Sequence, residues 1–246
     1  MLTTAILATL LSQTYYTPDE AKALFGQGND AYYRQDYAAA EEAYKKLLDH
    51  GYGGADVLFN LGTAHLAEGE LGEAVLYLEK ARRLSGADDI EANLAVARSK
   101  QLDQVVGAQA EEPFIQRVVA ASSESIAGGV FLGGWLGGLL LLLLFRFLAP
   151  GRRTWAAVLG GACLVMALPA GLLLAAHAYV AQTVDEGVVL ARTLPAREFP
   201  KDTAKVSFEL HAGLKVRVME ESGRYVRIRL PNGLEGWTER EGLGRL

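Results

Sequence analysis

The chain has 246 residues, of which 50% are hydrophobic and 22% are charged, and its formal net charge is −5. This mild acidity disfavours nucleic-acid binding, which needs a clustered basic face. There is one cysteine, Cys163, the four histidines lack metal-ligand spacing, and no nucleotide-binding or hydrolase motif is present. We therefore expect no catalytic residues, no metal site, no cofactor and no enzymatic activity.

Residues 1–14 contain a short apolar stretch followed by polar residues, which is typical of a signal peptide. The stretch lacks a basic start and a clean small-residue cleavage site. An uncleaved anchor and a wrongly assigned start codon therefore stay open as alternatives. The apolar part is only ten residues long, too short to cross a membrane as a helix.

Residues 17–109 contain an internal repeat. Gly28 and Gly62 are 34 residues apart, and Ala40 and Ala74 have the same spacing. A 34-residue period with these residue types resembles the tetratricopeptide repeat family, which implies an all-α domain of paired helices. The small residues would let the two helices of each pair pack closely. A partial third unit follows and is expected to form a capping helix, because the end of a helical array needs a polar outer face.

The tetratricopeptide resemblance implies a concave groove that binds peptides or partner proteins. Asn29 and Asn60 stand at positions that, in the family, can hydrogen-bond a peptide backbone. The basic residues with which some members grip a carboxylate are not matched here. We predict a groove for an apolar or aromatic segment of a partner. The predicted groove residues are Phe25, Asn29, Tyr32, Tyr33, Phe59 and Asn60. The alternative is that Phe25 and Phe59 belong to the core between the repeats.

Two apolar stretches, 126–145 and 156–176, contain no charged residue. Each is about 20 residues long, the length that a helix needs to cross roughly 30 Å of hydrocarbon. A short connector predicts a transmembrane hairpin. The predicted boundaries are a linker helix at 113–125, transmembrane helices at 126–148 and 155–181, and a cytoplasmic turn at 149–154.

The orientation of the hairpin follows from the charges near its turn. Arg146, Arg152 and Arg153 lie in or beside the connector, and short basic loops stay in the cytoplasm. We therefore expect a two-span protein of a bacterial inner (cytoplasmic) membrane, with both flanking domains in the periplasm. No ionisable residue lies in the middle of either span, which disfavours ion or proton transport.

The first predicted span carries glycines that are expected to pack helices in the membrane. Gly129, Gly133 and Gly137 recur every four residues, with Gly134 and Gly138 beside them. Small residues at this spacing let helix backbones approach closely in lipid. Two uses stay open: packing of one span against the other, and docking onto transmembrane helices of a partner.

Residues 184–246 change from helical to strand periodicity. Val216 and Val218 alternate with Lys215 and Arg217, a pattern that predicts a half-buried strand. An Asn-Gly pair at 232–233 is a strong hairpin signal. About five short strands in this length suggest a small all-β barrel.

The order of these strands resembles a bacterial SH3-like domain. The residues that carry the resemblance are 189–192, 211–216, 225–228 and the pair Gly236-Trp237. The departure from the family is an insertion at 193–206, where the family has a variable loop. Tyr225 and Trp237 are candidate surface residues for stacking on a ligand, and the other reading packs both into the barrel. Some family members bind cell-wall peptides.

The order of modules is the most specific feature of this multidomain chain. A signal sequence, tetratricopeptide repeats, a transmembrane hairpin and an SH3-like barrel together resemble the E component of the Bat aerotolerance system. This resemblance implies a non-catalytic membrane scaffold. Its partners would be von Willebrand A-domain Bat-type membrane proteins and, indirectly, a MoxR-type ATPase. The alternative is a sensor or anchor that binds cell-wall peptidoglycan through the SH3-like domain.

Overall fold

The computed structural model describes residues 16–103 and 113–246. The predicted signal peptide at residues 1–14 lies outside the described residues. Contacts divide the chain into two compact units. The first combines Met1–Ala108 with Glu186–Leu246, and the second is Gln109–Asp185.

Helices form the N-terminal part of the first unit. They are α1 (Pro18–Tyr33), α2 (Tyr37–Asp49), α3 (Ala55–Glu68), α4 (Leu71–Leu84) and α5 (Asp88–Ser99). Helix α1 packs against α2, α3 packs against α4, and α5 extends the row by packing against α4. Helix α1 begins where it does because Thr17 and Glu20 form a reciprocal capping box. The expected paired helices are confirmed.

The two repeated glycines are required by the packing of each helix pair. A Cβ atom on Gly28 would lie 2.6 Å from Cε1 of Tyr44, and one on Gly62 would lie 2.8 Å from Cγ of Leu78. Both distances are far inside van der Waals contact. The 34-residue spacing therefore records two equivalent close approaches, each filled by a bulky side chain of the second helix.

An antiparallel sheet forms the C-terminal part of the first unit. Its strands are β1 (Asp185–Val189), β2 (Thr193–Arg197), β3 (Val206–His211), β4 (Lys215–Ser222), β5 (Tyr225–Arg229), β6 (Glu235–Glu239) and β7 (Leu243–Arg245). Their order in the sheet is β3-β2-β6-β5-β4-β1-β7. Alternate residues of these strands fill an apolar core that includes Leu194, Leu210, Val216 and Ile228.

The segment 193–206, which we expected to be an inserted loop, contains most of a hairpin. Strand β2 occupies its first five residues and pairs antiparallel with β3, with Leu194 opposite Leu210. The expectation of a loop was wrong because Pro195 lies inside β2 and interrupts the strand signal. Only the connection between the two strands is irregular.

The helices and the sheet of the first unit share buried surface through β1. Val188 is fully buried in a cluster with Leu76 and Leu94 of the helices, whereas Val189 is fully buried in the core of the sheet. Successive side chains of a strand point to opposite faces, so one strand serves both cores. A Cβ on Gly72 of α4 would lie 2.6 Å from the Cα of Leu190, which shows how closely the two parts approach.

A buried carboxylate reinforces this contact. Glu79 of α4 is 1% exposed and accepts hydrogen bonds from Arg82 at 2.8 Å and from Arg98 of α5 at 2.9 Å. The ammonium of Lys215, on β4, lies 3.7 Å from the same carboxylate. Burial acts to raise the pKa of Glu79, but the three neighbouring cations outweigh it and the pKa is lowered.

The second pair of contacts lies at the end of the helical row. Asp103 accepts hydrogen bonds from the backbone N–H of His211 at 2.6 Å and lies 2.7 Å from its Nδ1 atom. The side chain of Gln101 donates a hydrogen bond to the carbonyl oxygen of Gly213. The helices and the sheet are thus tied together at two separate places.

The second unit contains α6 (Phe114–Ala120), α7 (Glu124–Leu144) and α8 (Pro150–Thr183). Helices α7 and α8 pack against each other and are long and apolar enough to cross a membrane, with mean hydropathies of 2.0 and 2.2. Length and composition are the basis of this assignment. The turn lies at 145–149 and not at the predicted 149–154, because Pro150 begins α8 as a first-turn proline.

Candidate functional site

A row of asparagines crosses the helical repeats at the predicted groove. The Oδ1 atom of Asn29, on α1, accepts hydrogen bonds from the Tyr44 hydroxyl at 2.8 Å and from Nδ2 of Asn60, on α3, at 2.9 Å. One turn further along α3, Oγ1 of Thr63 accepts a hydrogen bond from Nδ2 of Asn93, on α5, at 2.8 Å. The first helices of successive repeats are therefore joined by side-chain amides.

Aromatic rings surround this polar row and enclose a cavity of about 210 Å³. The cavity is lined by Asn29, Tyr32, Tyr33, Tyr44, Phe59, Asn60 and Thr63. Five of the six predicted groove residues line it. The sixth, Phe25, lines a separate depression beside Pro18 and Tyr52 and lies 6.0 Å from the Tyr44 ring, centroid to centroid. Phe25 thus supports the first repeat and not this cavity.

The sequence pattern missed three members of this site. Tyr44 is 1% exposed and was read only as the residue that fills the space between paired helices. Thr63 lies one helical turn after Phe59, on the same face, and this spacing could have identified it. Asn93 belongs to the incomplete third unit, where a search for further asparagines on first helices could have found it.

The cavity is uncharged, and its hydroxyl groups stay protonated. Its lining has no acidic or basic side chain. Burial raises the pKa of Tyr44 to about 12, and burial also raises the pKa of Tyr32. Tyr44 therefore remains a hydrogen-bond donor to Asn29 throughout the neutral range. Such a site suits an apolar or aromatic side chain, with amides available for a peptide backbone.

Tyr33 offers the most accessible ring of the cavity. Its side chain is 82% exposed, and its ring stands edge-on to Tyr32 with 6.1 Å between centroids. Tyr32 in turn contacts Tyr37 at 5.5 Å. An exposed aromatic ring with buried aromatic support is typical of residues that contribute strongly to protein interfaces.

Only two of the five predicted membrane glycines pack α7 against α8. A Cβ on Gly134 would lie 3.1 Å from the carbonyl oxygen of Cys163, and one on Gly138 would lie 2.8 Å from Cγ of Leu164. A Cβ on the other three would meet no atom within 4 Å; these are Gly129, Gly133 and Gly137.

The two candidate surface residues of the sheet differ in accessibility. Tyr225 is 5% exposed, and its hydroxyl donates a hydrogen bond to Asp202, which is the leading cause of the lowered pKa of that carboxyl. Trp237 is half-buried, and the Arg227 guanidinium lies 5.9 Å from the centre of its ring. Tyr225 is therefore a core residue, and Trp237 keeps one partly accessible face.

One group of side chains in the described part of the chain could hold a metal ion. His65, which the sequence placed near no other ligand, lies with Glu41, Glu68 and Glu70. The ligand atoms of these four residues lie within 4.8 Å of one another.

The comparison with protein families agrees with the helical part of this description. Residues 25–89 match the model of a tetratricopeptide repeat family. This range contains α2, α3 and α4, together with five of the seven cavity residues from Asn29 to Asn60 and the remaining two. A comparison with curated proteins found no match to the chain. The repeats therefore identify a protein-interaction module within the chain.

Proposed function

We propose that the protein is a non-catalytic, membrane-anchored scaffold whose repeats bind an extended apolar or aromatic segment of a partner protein. The observation that carries this proposal is the uncharged cavity at Asn29 and Asn60, which opens beside the exposed Tyr33 ring. Tetratricopeptide repeats commonly present such grooves to partner proteins. The aromatic walls supply apolar contact, and the amides offer hydrogen bonds to a backbone.

The hairpin is the proposed anchor. Only 11% of the most apolar window of α7 and 17% of that of α8 are buried within the chain. A core helix of a soluble protein would be mostly covered by its own chain. The remaining apolar surface of these helices needs another cover, and lipid is the cover that fits their length.

Both soluble parts are proposed to lie on the same side of this membrane. The segments before and after the hairpin form one compact unit, which requires that the chain cross the bilayer an even number of times. Three arginines, Arg146, Arg152 and Arg153, lie in the turn or directly after it. Basic short loops stay in the cytoplasm, so the repeats and the sheet would be periplasmic.

The finer identity rests on resemblance. We assign the sheet to the SH3-like class from its strand order and its Gly236-Trp237 pair. The combination of modules resembles the E component of the Bat aerotolerance system. The proposed partners are therefore von Willebrand A-domain Bat-type membrane proteins and, indirectly, a MoxR-type ATPase. Peptidoglycan binding by the sheet has less support, because the Tyr225 ring is buried.

Co-purification from detergent-solubilised membranes tests the groove. The tagged wild-type chain should retain a partner that Asn60→Ala loses by about tenfold, the cost of one or two hydrogen bonds. Leu84→Ala is the matched control, because Leu84 is 60% exposed and lies outside the cavity. Equal recovery of every bound protein by wild type and Asn60→Ala would refute the assignment of the groove.

A further inference from the structure

A second site lies where the first repeat meets the second. Glu41 comes from α2, His65 and Glu68 come from the last turns of α3, and Glu70 precedes α4. All four ligand atoms lie within 4.8 Å of one another. In a tetrahedral zinc site, with bonds of roughly 2.0–2.2 Å, neighbouring ligand atoms are about 3.4 Å apart. Small rotations of the exposed glutamates would close this difference.

His65 provides an independent sign of a ligand. The residue is 1% exposed, and its ring stacks on Tyr77 with centroids 5.5 Å apart and planes 6° from parallel. The Nδ1 atom lies 2.7 Å from Oε2 of Glu70. The Nε2 atom is buried and has no hydrogen-bond partner among the described residues.

The two ring nitrogens of His65 define its protonation. If Nδ1 donates its proton to the Glu70 carboxylate, Nε2 carries an unshared lone pair inside the protein. A buried acceptor without a donor is costly. Histidines that bind metals have this arrangement, with one nitrogen held by a carboxylate and the other on the ion. The stacked Tyr77 ring fixes the imidazole in place.

The charges of the cluster favour a divalent cation. Three carboxylates, Glu41, Glu68 and Glu70, face one ammonium, that of Lys45, which pairs with Glu41. Three negative charges and one positive charge leave two negative charges when His65 is neutral. An imidazole among the ligands favours zinc over magnesium or calcium, which prefer oxygen alone.

We propose that His65, Glu41, Glu68 and Glu70 bind one Zn²⁺ ion. The ion joins α2 of the first repeat to the end of α3 and to the turn before α4. It replaces the Lys45 ammonium at Glu41 and satisfies the buried imidazole. Because it links two repeats, bound zinc stabilises the repeat array that forms the groove.

Isothermal titration of the detergent-solubilised full chain with Zn²⁺ tests this proposal, and it needs no partner protein. We expect one saturable site per chain and a higher unfolding temperature with zinc. Glu68→Gln should weaken this binding at least tenfold, because it removes a ligand from an exposed position without disturbing the core. Glu73→Gln, a nearby glutamate outside the cluster, should bind zinc as the wild type does.

A second variant separates this site from the other histidines of the chain. His65→Gln should lose the same site while the helical circular dichroism shows that the repeats remain folded. The absence of saturable zinc binding by the wild type would overturn the proposal. Wild-type affinity in Glu68→Gln, or an equal loss in Glu73→Gln, would do the same.

Discussion

Replacing Glu79 with glutamine should loosen the attachment of the sheet to the helical repeats. The carboxylate is 1% exposed and is surrounded by Arg82, Arg98 and Lys215. Glu79→Gln keeps the size of the side chain but leaves three cations around a neutral amide. Lys215 is the cation that belongs to the sheet, so the damage should reach across the contact between the two parts.

The expected magnitude follows from the exposure of the cations. Removing one partner of a fully buried ion pair costs about 3–5 kcal/mol. Here the side chains of Arg82, Arg98 and Lys215 are 36%, 49% and 32% exposed, so water stabilises them in part when the carboxylate is lost. We therefore expect a loss of about 2 kcal/mol in the free energy of unfolding. That loss corresponds to a decrease of about 4–8 °C in the unfolding temperature.

The effect should depend on pH in a defined direction. The pKa of Glu79 in the folded protein is lower than its usual value of 4.5. Its contribution is therefore fully present above pH 4.5 and is lost as the pH falls through the folded pKa. The difference between wild type and Glu79→Gln should be largest near neutral pH and should shrink in acid.

Hydrogen exchange of the full chain, resolved by peptide, is the suitable assay. Amides of both α4 and β4 should exchange faster in Glu79→Gln at neutral pH. Glu73→Gln, on the same helix, is the control and should leave both segments unchanged. Faster exchange in α4 alone, or a stability within about 0.5 kcal/mol of wild type, would refute the role of Glu79 in joining the two parts.

Three further predictions concern the glycines and the membrane. Gly62→Ala should cost about 1–3 kcal/mol in thermal unfolding because its Cβ would meet Leu78 backbone and side-chain atoms, whereas Gly86→Ala, with open space around it, should not. Gly138→Leu should separate α7 from α8 and make the hairpin protease-sensitive in detergent, whereas Gly133→Leu should behave as wild type. A reporter active only in the periplasm should work when fused after the last strand and fail when fused in the turn between α7 and α8; the opposite pattern would contradict the proposed orientation.

The repeats could be predicted from sequence because their cause is local and periodic. Gly28 and Gly62 each face a bulky side chain of the following helix, and this requirement recurs every 34 residues. The groove followed from the same period, since Asn29 and Asn60 lie on equivalent helices. Helical packing of this kind is visible in residue types alone.

The contact between helices and sheet could not be predicted in this way. Glu79 and Lys215 are far apart in the chain, and neither residue type indicates the other. Val188 and Val189 form an apolar pair typical of any buried strand, yet each fills a different core. Strand β2 was missed for a different reason, since Pro195 lowers its strand signal and only its pairing with β3 reveals it.

Photo-crosslinking in intact membranes tests the central claim most directly. A photoreactive residue at position 33, which is 82% exposed at the mouth of the cavity, should form a discrete adduct with a partner protein. Adding Asn60→Ala should remove this adduct, and the same probe at position 84 should form none. No adduct from position 33, or an adduct that Asn60→Ala leaves unchanged, would contradict the claim that the repeats bind a partner through this groove.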